Sequence, residues 1–164
     1  IAVKAALTGH LVLSTLHTND AAGVIPRLID MGVPPFLIAS SLILAQAQRL
    51  YRKLCPLCKK PTEVNPDVLV ANHIDPAFFE GATLFEAGGC PKCNNIGYKG
   101  RGAFMEVLPV SDAIRGATVK GSPADVLRNI AIQEGMATLK DVGLMKVRSG
   151  ITSLHAALEV TGSE

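Results

Sequence analysis

Cysteine is the residue type whose spacing most clearly indicates chemistry in this 164-residue chain. All four cysteines fall in two Cys-Pro-x-Cys pairs, which are separated by 31 residues. Two such pairs supply the four soft ligands of a tetrahedral zinc site, and four protein ligands leave no open position for a catalytic water. The spacing therefore predicts one structural zinc ion bound by Cys55, Cys58, Cys90 and Cys93.

Redox-active dithiols and two structural disulfides are the alternatives for these cysteines. Two matched pairs with no cysteine left over disfavour both, and a cytosolic setting disfavours disulfides. We expect the residues that follow the pairs, Lys59-Lys60 and Asn94-Asn95, to offer backbone N–H groups to the thiolates. The lysines would also offset the negative charge of a zinc tetrathiolate. The segment between the pairs is interpreted as a hairpin-like insert pinned at its base.

A histidine follows an apolar run in the stretch STLHTND (14–20). The run, residues 10–16, is typical of a strand covered on both faces, as in a parallel sheet. His17 would then lie at the carboxyl end of a strand and just before a helix N-terminus, where open α/β sheets bind ligands and anions. From these residues alone, a functional histidine and a satisfied structural histidine are equally open interpretations.

No phosphate-binding loop accompanies this histidine in the sequence. There is no G-x-x-x-x-G-K-[ST] segment, and the glycines at 97–102 do not match a dinucleotide fingerprint. No predicted strand ends in paired acids that could bind Mg²⁺. These residues therefore cannot complete a nucleotide-hydrolysing site by themselves.

The elements that would position these residues follow an α/β order. The predicted helices cover 1–8, 20–31, 35–47, 66–72, 111–117, 122–134, 138–149 and 152–160, and the predicted strands cover 10–16, 48–54 and 103–110. The order strand–helix–helix–strand before the cysteines indicates an α/β core.

Composition excludes several classes of protein. The length fits about one domain, and 48% hydrophobic residues suffice for a core. Sixteen Lys and Arg against 14 Asp and Glu, with no Trp, argue against a nucleic-acid surface. The longest apolar stretch, 36–45, is about half of the ~20 residues in a membrane-spanning helix. The opening IAVKAALTGH resembles no signal peptide, lacks Met and begins directly in a helical pattern, which suggests part of a longer chain.

Four stretches resemble, in the same order, the C-terminal part of the type II secretion and type IV pilus assembly ATPases. They are TGHLVLSTLHTNDA (8–21), which resembles the family's His box, RLIDMGVPPFLIASSLILAQAQRLYRKLCPLC (27–58), CPKCNNIGYKGRGAFMEVL (90–108) and EGMATLKDVGLMKVRSGIT (134–152). The cysteine pairs favour the assembly or export branch, since the retraction ATPases generally lack this segment. Departures from the family's usual residues, at 94–97, 102–103 and 155, lie outside the His box.

The resemblance implies a motor that forms a hexamer at the cytoplasmic face of the inner membrane. Such a motor binds ATP and Mg²⁺ and couples hydrolysis to a polytopic platform protein. Its P-loop, Asp box and Walker B acid precede the matched part and are missing from this sequence, so we expect this chain alone to be inactive. We expect neither a nucleic-acid partner nor insertion into the membrane. The competing interpretation is a non-enzymatic, zinc-bearing interaction module.

The expected fold is the C-terminal portion of a RecA-like motor domain, in the α/β class, with a zinc-binding insert and a C-terminal helical bundle. The predicted division has three parts. A partial RecA-like core with the His box covers 1–54, the tetracysteine insert covers 55–100, and a returning strand with the helical subdomain covers 101–164.

The resemblance also implies roles for individual residues. His17 is similar to the His-box residue that faces the γ-phosphate and would sense the nucleotide state. Thr15, two positions earlier, would point to the same sheet face and hydrogen-bond within the site. Arg49 could approach a nucleotide base or phosphate. Arg27 is explained at least as well as a solvated helix arginine as by an intersubunit contact. Arg101 is as easily a loop-stabilising residue as a functional one.

Overall fold

The computed structural model describes residues 1–162, which form two compact units. Unit 1 comprises Ile1–Gln48 and Met105–Thr138, and unit 2 comprises Arg49–Phe104 and the residues from Leu139 onward. The chain leaves unit 1 within one long strand and re-enters it within another, so each unit combines stretches that are distant in sequence.

The described elements are eight α-helices, four strands and two short 3₁₀ helices. The helices are α1 (Ala2–Leu7), α2 (Val24–Asp30), α3 (Pro35–Ser41), α4 (Pro66–Ala71), α5 (Asp112–Val119), α6 (Ala124–Gln133), α7 (Leu139–Arg148) and α8 (Leu154–Thr161). The strands are β1 (Leu44–Leu54), β2 (Lys60–Thr62), β3 (Leu84–Glu86) and β4 (Tyr98–Pro109), and short 3₁₀ helices cover Pro76–Phe79 and Pro91–Cys93.

The long strands β1 and β4 are neighbours in a two-stranded sheet. Every second side chain is buried over much of each strand, as expected when one face of a sheet packs on a core. The buried positions are Ala45, Ala47, Tyr51 and Leu54 in β1, and Phe104, Glu106 and Leu108 in β4. Within unit 2, the rings of Tyr51 and Phe104 stack with centroids 4.1 Å apart.

Unit 1 packs helices around a fully buried apolar core. Its largest members are Ile25, Ile38, Leu108, Ile114 and Leu127. α5 contacts both α3 and α6, and α3 also contacts α1 and α2. Local sequence fixes where these helices begin. Pro35 occupies the first turn of α3, and the Ser111 hydroxyl accepts a hydrogen bond from the Ile114 N–H at the start of α5 (3.2 Å).

Unit 2 contains the cysteines, the insert between them and the last two helices. The insert is closed at its base by antiparallel pairing of β2 with β3, in which Lys60 lies opposite Glu86. α7 and α8 pack against each other, and α7 also contacts β3. The turn between these helices ends at Ser153, whose hydroxyl caps α8 by accepting from the Ala156 N–H (3.1 Å).

The predicted strand over 10–16 is wrong. Residues 10–17 form neither helix nor strand, and the side chains of Leu11 and Leu13 are 81% and 88% exposed. A strand needs a partner for its backbone hydrogen bonds, and within residues 1–162 no strand pairs with this run.

Two predicted helices are shorter in the structure. The helix expected over 20–31 begins only at Val24, and the helix expected over 35–47 ends at Ser41. β1 begins at Leu44, within the predicted helix, and the Ile43 carbonyl accepts a hydrogen bond from the Val110 N–H just after β4 (2.9 Å). A short apolar run does not distinguish helix from strand, and pairing with β4 decides it here.

α4 and the last four helices lie within a few residues of the predicted helices. The predicted returning strand is also present as β4, but it begins at Tyr98, five residues before the predicted start. However, α5 and α6 belong to unit 1 whereas α7 and α8 belong to unit 2, and the predicted C-terminal helical bundle is not confirmed. Among the described residues, no helix has the length and apolar character needed to cross a membrane.

Candidate functional site

The four cysteine side chains converge in unit 2, as predicted. Their Sγ atoms all lie within 4.8 Å of one another. Cys55 and Cys58 belong to the turn that follows β1. Cys90 immediately precedes the 3₁₀ helix Pro91–Cys93, and Cys93 is the last residue of that helix. We call this group the tetracysteine cluster.

The spacing of the sulfurs fits a tetrahedral metal ion. A zinc ion about 2.3 Å from each of four sulfurs places those sulfurs about 3.8 Å apart. The Sγ–Sγ distance is 3.9 Å between Cys55 and Cys90, and it is 3.7 Å both between Cys58 and Cys93 and between Cys90 and Cys93. The four residues could therefore hold a metal ion with all four positions filled by protein.

Backbone hydrogen bonds shape the two turns that present the cysteines. The Cys55 carbonyl accepts from the Lys59 N–H (3.0 Å), and the Cys90 carbonyl accepts from the Asn95 N–H (2.9 Å). The N–H of Cys55 donates to the carbonyl of Gly97 (2.9 Å), which joins one turn to the other. A backbone hydrogen bond thus connects the two Cys-Pro-x-Cys turns directly.

The expected N–H donors to sulfur are wrong for Lys59, Asn94 and Asn95, whose N–H groups donate to carbonyl oxygens. Cys93 Sγ instead accepts from the N–H groups of Gly97 (3.2 Å) and Cys90 (3.4 Å). Gly97 has φ +79°, and a Cβ there would lie 2.7 Å from the Ala87 Cβ, so only glycine fits at this donor position.

The pKa values of two cysteines in the cluster, Cys58 and Cys93, are shifted in opposite directions. Burial raises the pKa of the Cys58 thiol to about 12, and hydrogen bonds to the other cysteines add to that rise. Burial also acts to raise the pKa of Cys93, but the N–H groups of Cys90 and Gly97 outweigh it and lower that pKa to about 6. The lowered pKa favours the thiolate form of Cys93, which is the form that binds a cation.

A second layer of contacts joins the cluster to the turn between α7 and α8. Lys59 Nζ donates to the Gly150 carbonyl (2.8 Å) and lies 4.3 Å from the centroid of the Phe85 ring. The Leu54 N–H, next to Cys55, donates to the Ile151 carbonyl (2.9 Å). The Lys59 ammonium group thus contacts the turn between α7 and α8 and the face of the Phe85 ring.

The same turn is bonded to both long strands inside unit 2. The Thr152 hydroxyl donates to the Arg52 carbonyl in β1 (2.8 Å), and the hydroxyls of Tyr98 in β4 and Ser153 lie 2.7 Å apart. Thr152 and Ser153 are buried. The cluster is therefore part of a continuous hydrogen-bonded network that extends to the start of α8.

His17 and Thr15 lie in unit 1 on the irregular stretch, and both are exposed. We call residues 10–20 the His-box segment. The C-terminal end of this segment is anchored. The Thr18 hydroxyl donates to the Asp20 carbonyl (3.0 Å), and the buried Asp20 side chain forms an ion pair with Arg128. No pattern in the sequence predicts this pair, since Arg128 is 108 residues from Asp20.

Three arginines are candidate site residues in the sequence: Arg27 lies in unit 1, and Arg49 and Arg101 lie in unit 2. Arg27 is exposed on α2 in unit 1, and Arg49 is half-buried in β1 in unit 2. Arg101 is exposed in β4, so its predicted loop position is wrong. The proposed nucleotide contact of Arg49 stays a prediction.

Comparison with known proteins gives a family that matches almost the whole chain. The family model described as "Type II/IV secretion system protein" matches residues 1–159. The chain is 48% identical over 99% of its length to the type IV pilus assembly ATPase PilB of Myxococcus xanthus. It is 47% identical to PilB of Thermus thermophilus and to the type II secretion system ATPase E of Vibrio cholerae, over 98% of its length in each case.

Solved structures give the same fold at lower identity. The pilus retraction motor PilT with bound ADP superposes with a TM-score of 0.59 at 22% identity, over 97% of this chain and 34% of PilT. The Legionella pneumophila ATPase DotB superposes with a TM-score of 0.61 at 18% identity, over 99% of this chain and 34% of DotB. These likenesses concern the fold alone.

The chain spans 28%, 18% and 31% of the length of the three curated relatives named above. The match therefore concerns one part of each longer relative, and it includes both the His-box segment and all four cysteines. Since the family model covers residues 1–159, the chain belongs to the family of type II/IV secretion system proteins.

Proposed function

We propose that this chain is the C-terminal part of a hexameric ATPase that powers type IV pilus assembly or type II protein secretion. The observation that carries the proposal is the 47–48% identity, over nearly the whole chain, to relatives named as pilus assembly and secretion ATPases. The motor would act at the cytoplasmic face of the inner membrane, as a peripheral protein, on a polytopic platform protein.

The tetracysteine cluster would bind one structural zinc ion in this motor. Support comes from the sulfur spacing, which matches a tetrahedron of Zn–S bonds, and from the N–H donors to Cys93 Sγ. The ion would neutralise the thiolates and fix the two turns on which the second layer of contacts depends. Four protein ligands leave it no substrate position.

His17 would sense the nucleotide, with Thr15 beside it and Arg49 as a further contact. Both His17 and Thr15 are exposed and so accessible to groups outside the described chain. Phosphoryl transfer requires groups that bind phosphate and Mg²⁺, and the sequence supplies no phosphate loop. The division into a partial RecA-like core (1–54), a zinc-binding insert (55–100) and a returning strand with a helical subdomain (101–164) remains part of this proposal.

ATP turnover by two purified proteins tests the proposal. The full-length protein that contains this sequence should hydrolyse ATP, whereas the 164-residue chain alone should show no turnover above a matched blank purification. In the full-length protein, His17→Ala should lower turnover and leave the zinc content at one per chain. A full-length protein without turnover, or a fragment with robust turnover, would contradict the proposal.

The non-enzymatic interaction module is the alternative that the same experiment addresses. A full-length protein that binds zinc but neither binds nor hydrolyses ATP would support the module. The sequence upstream of residue 1 gives a rapid first indication, since a P-loop and an acidic strand end there would support the motor.

A further inference from the structure

We propose that Asp20 and Arg128 are positioning residues that fix the His-box segment, and with it His17, against α6. The inference rests on the proposed role of His17 and adds the residues that hold it in place. The contacts that support it all lie within unit 1.

Both carboxylate oxygens of Asp20 have a partner. Oδ1 accepts a hydrogen bond from the Gly23 N–H (2.7 Å), and Oδ2 forms an ion pair with the Arg128 guanidinium on α6. The Asp20 side chain is only 9% exposed, and that of Arg128 is 32% exposed. A charge as deeply buried as that of Asp20 is stable only when it is paired, so Asp20 requires the Arg128 guanidinium.

A second buried acid anchors the next residue. The Ala21 N–H donates to Glu106 Oε1 on β4 (2.9 Å), and Glu106 is 2% exposed. Ala21 and Ala22 have no exposed surface. The chain therefore passes from an exposed, irregular stretch to a completely buried one within the four residues after His17.

Gly23 provides the space that the Asp20 carboxylate occupies. A Cβ at position 23 would lie 2.8 Å from Asp20 Oδ1, closer than real Cβ contacts. The carboxylate is held on its other side by Arg128, so it cannot turn away without breaking the ion pair. Gly23→Ala therefore displaces the carboxylate and leaves every charge in place.

These contacts position His17 because His17 lies only three residues before Asp20. Residues 10–17 have no regular structure, so the ion pair and the Ala21–Glu106 hydrogen bond are the fixed end from which the imidazole is presented. The ion pair holds the Asp20 carboxylate at one place on α6. An apolar contact at the same depth would allow the segment to shift along the helix. A small displacement of a sensing or catalytic group is enough to lower turnover strongly.

Two measurements on the same variants test the inference. In the 164-residue chain, NMR order parameters should show Thr18 and Asn19 as ordered, and Asp20→Asn should lower both below about 0.6, the range of flexible backbone. The matched control is Asp112→Asn in the same unit, which removes a fully exposed acid 3.9 Å from Arg115 and should change nothing.

In the full-length protein, Asp20→Asn, Arg128→Met and Gly23→Ala should each lower kcat for ATP about tenfold or more, with KM changed less than about threefold. Arg128→Lys, which retains the charge, should recover part of the loss. Zinc content should stay unchanged in all of them.

Two results would overturn the inference. One is an Asp20→Asn chain whose order parameters equal those of Asp112→Asn, or a wild-type chain already flexible at Thr18. The other is full-length Asp20→Asn with wild-type kcat. A wild-type full-length protein that lacks turnover would contradict the proposed function instead, and the order parameters would still decide whether Asp20 fixes the segment.

Discussion

The tetracysteine cluster and the His-box segment differ in how much of a site each contains. The cluster assembles four ligand atoms within 4.8 Å of one another, from two turns that are hydrogen-bonded to each other. The His-box segment presents one exposed histidine from a stretch without secondary structure, and only its Asp20 end is bonded into a core. The tetracysteine cluster provides all four ligands that a zinc ion needs. The His-box segment provides a histidine but no groups that bind phosphate or Mg²⁺.

This difference shows why two motifs of the same family need different experiments. Cysteine ligands are supplied by local turns, so the 164-residue chain suffices to study metal binding. A nucleotide site draws its phosphate-binding and Mg²⁺-binding groups from several elements. For His17 the chain can show only position and accessibility, and function must be measured in the full-length protein.

The largest expected effect is loss of the metal when one cysteine is replaced. Cys93→Ser removes the sulfur that accepts two backbone N–H bonds. We expect zinc affinity to fall by far more than the roughly 100-fold that loss of an outer hydrogen-bond partner costs. Competition with a chromophoric chelator measures it. Zinc bound to Cys93→Ser as tightly as to the wild type would show that Cys93 is not a ligand of the zinc ion.

Removal of the metal should loosen unit 2 and leave unit 1 unchanged. The Leu54 and Cys55 amides donate to the Ile151 and Gly97 carbonyls, next to the cluster. Without zinc we expect their hydrogen exchange to accelerate about tenfold or more, because local opening then competes with fewer constraints. The Val110 amide of unit 1, bonded to the Ile43 carbonyl, is the internal control. Equal acceleration at Val110 would contradict a local effect.

A smaller effect is expected from the second layer of contacts. Lys59→Met removes the hydrogen bond to Gly150 and the cation–π contact with Phe85, for a loss of about 1–2 kcal/mol in the free energy of unfolding. Lys60→Met, at an exposed neighbouring position, is the matched control and should cost less than about 0.5 kcal/mol. Denaturant unfolding of the zinc-loaded chain gives both values. Equal losses in the two variants would show that the Lys59 contacts do not stabilise the fold.

The smallest effect is expected for the residue with the proposed functional role. His17→Ala should change the unfolding free energy of the chain by less than about 0.5 kcal/mol, since the side chain is exposed. Thermal or denaturant unfolding checks this, with zinc content measured in parallel. A loss above about 2 kcal/mol in the unfolding free energy would identify His17 as a structural histidine. The His-box segment would then stabilise the fold, as the tetracysteine cluster does.

The tetracysteine cluster could be predicted from the sequence because its information is local. Each Cys-Pro-x-Cys pair forms its own turn, and the even count of cysteines leaves one obvious grouping. What local sequence did not indicate was the donor to sulfur. The N–H groups of Asn94 and Asn95 were expected, but the turn directs them to carbonyls and brings Gly97 to Cys93 instead.

The His-box segment was harder because its structure depends on distant partners. An apolar run becomes a strand only when another strand pairs with it, and no spacing within residues 10–16 reveals whether one does. The start of β1 at Leu44 illustrates the same point, since pairing with β4 overrides a helical pattern. Arg128 and Glu106 could not be assigned to Asp20 and Ala21, because the partners are 108 and 85 residues apart.

Native mass spectrometry of the purified, reduced 164-residue chain with zinc and Mg²⁺–ATP at about 1 mM, near the upper range of typical substrate constants, tests the central claim most directly. We expect one zinc ion per chain and no ATP adduct above the level seen for an unrelated control protein. A chain that binds no zinc, or one that binds ATP specifically, would contradict it.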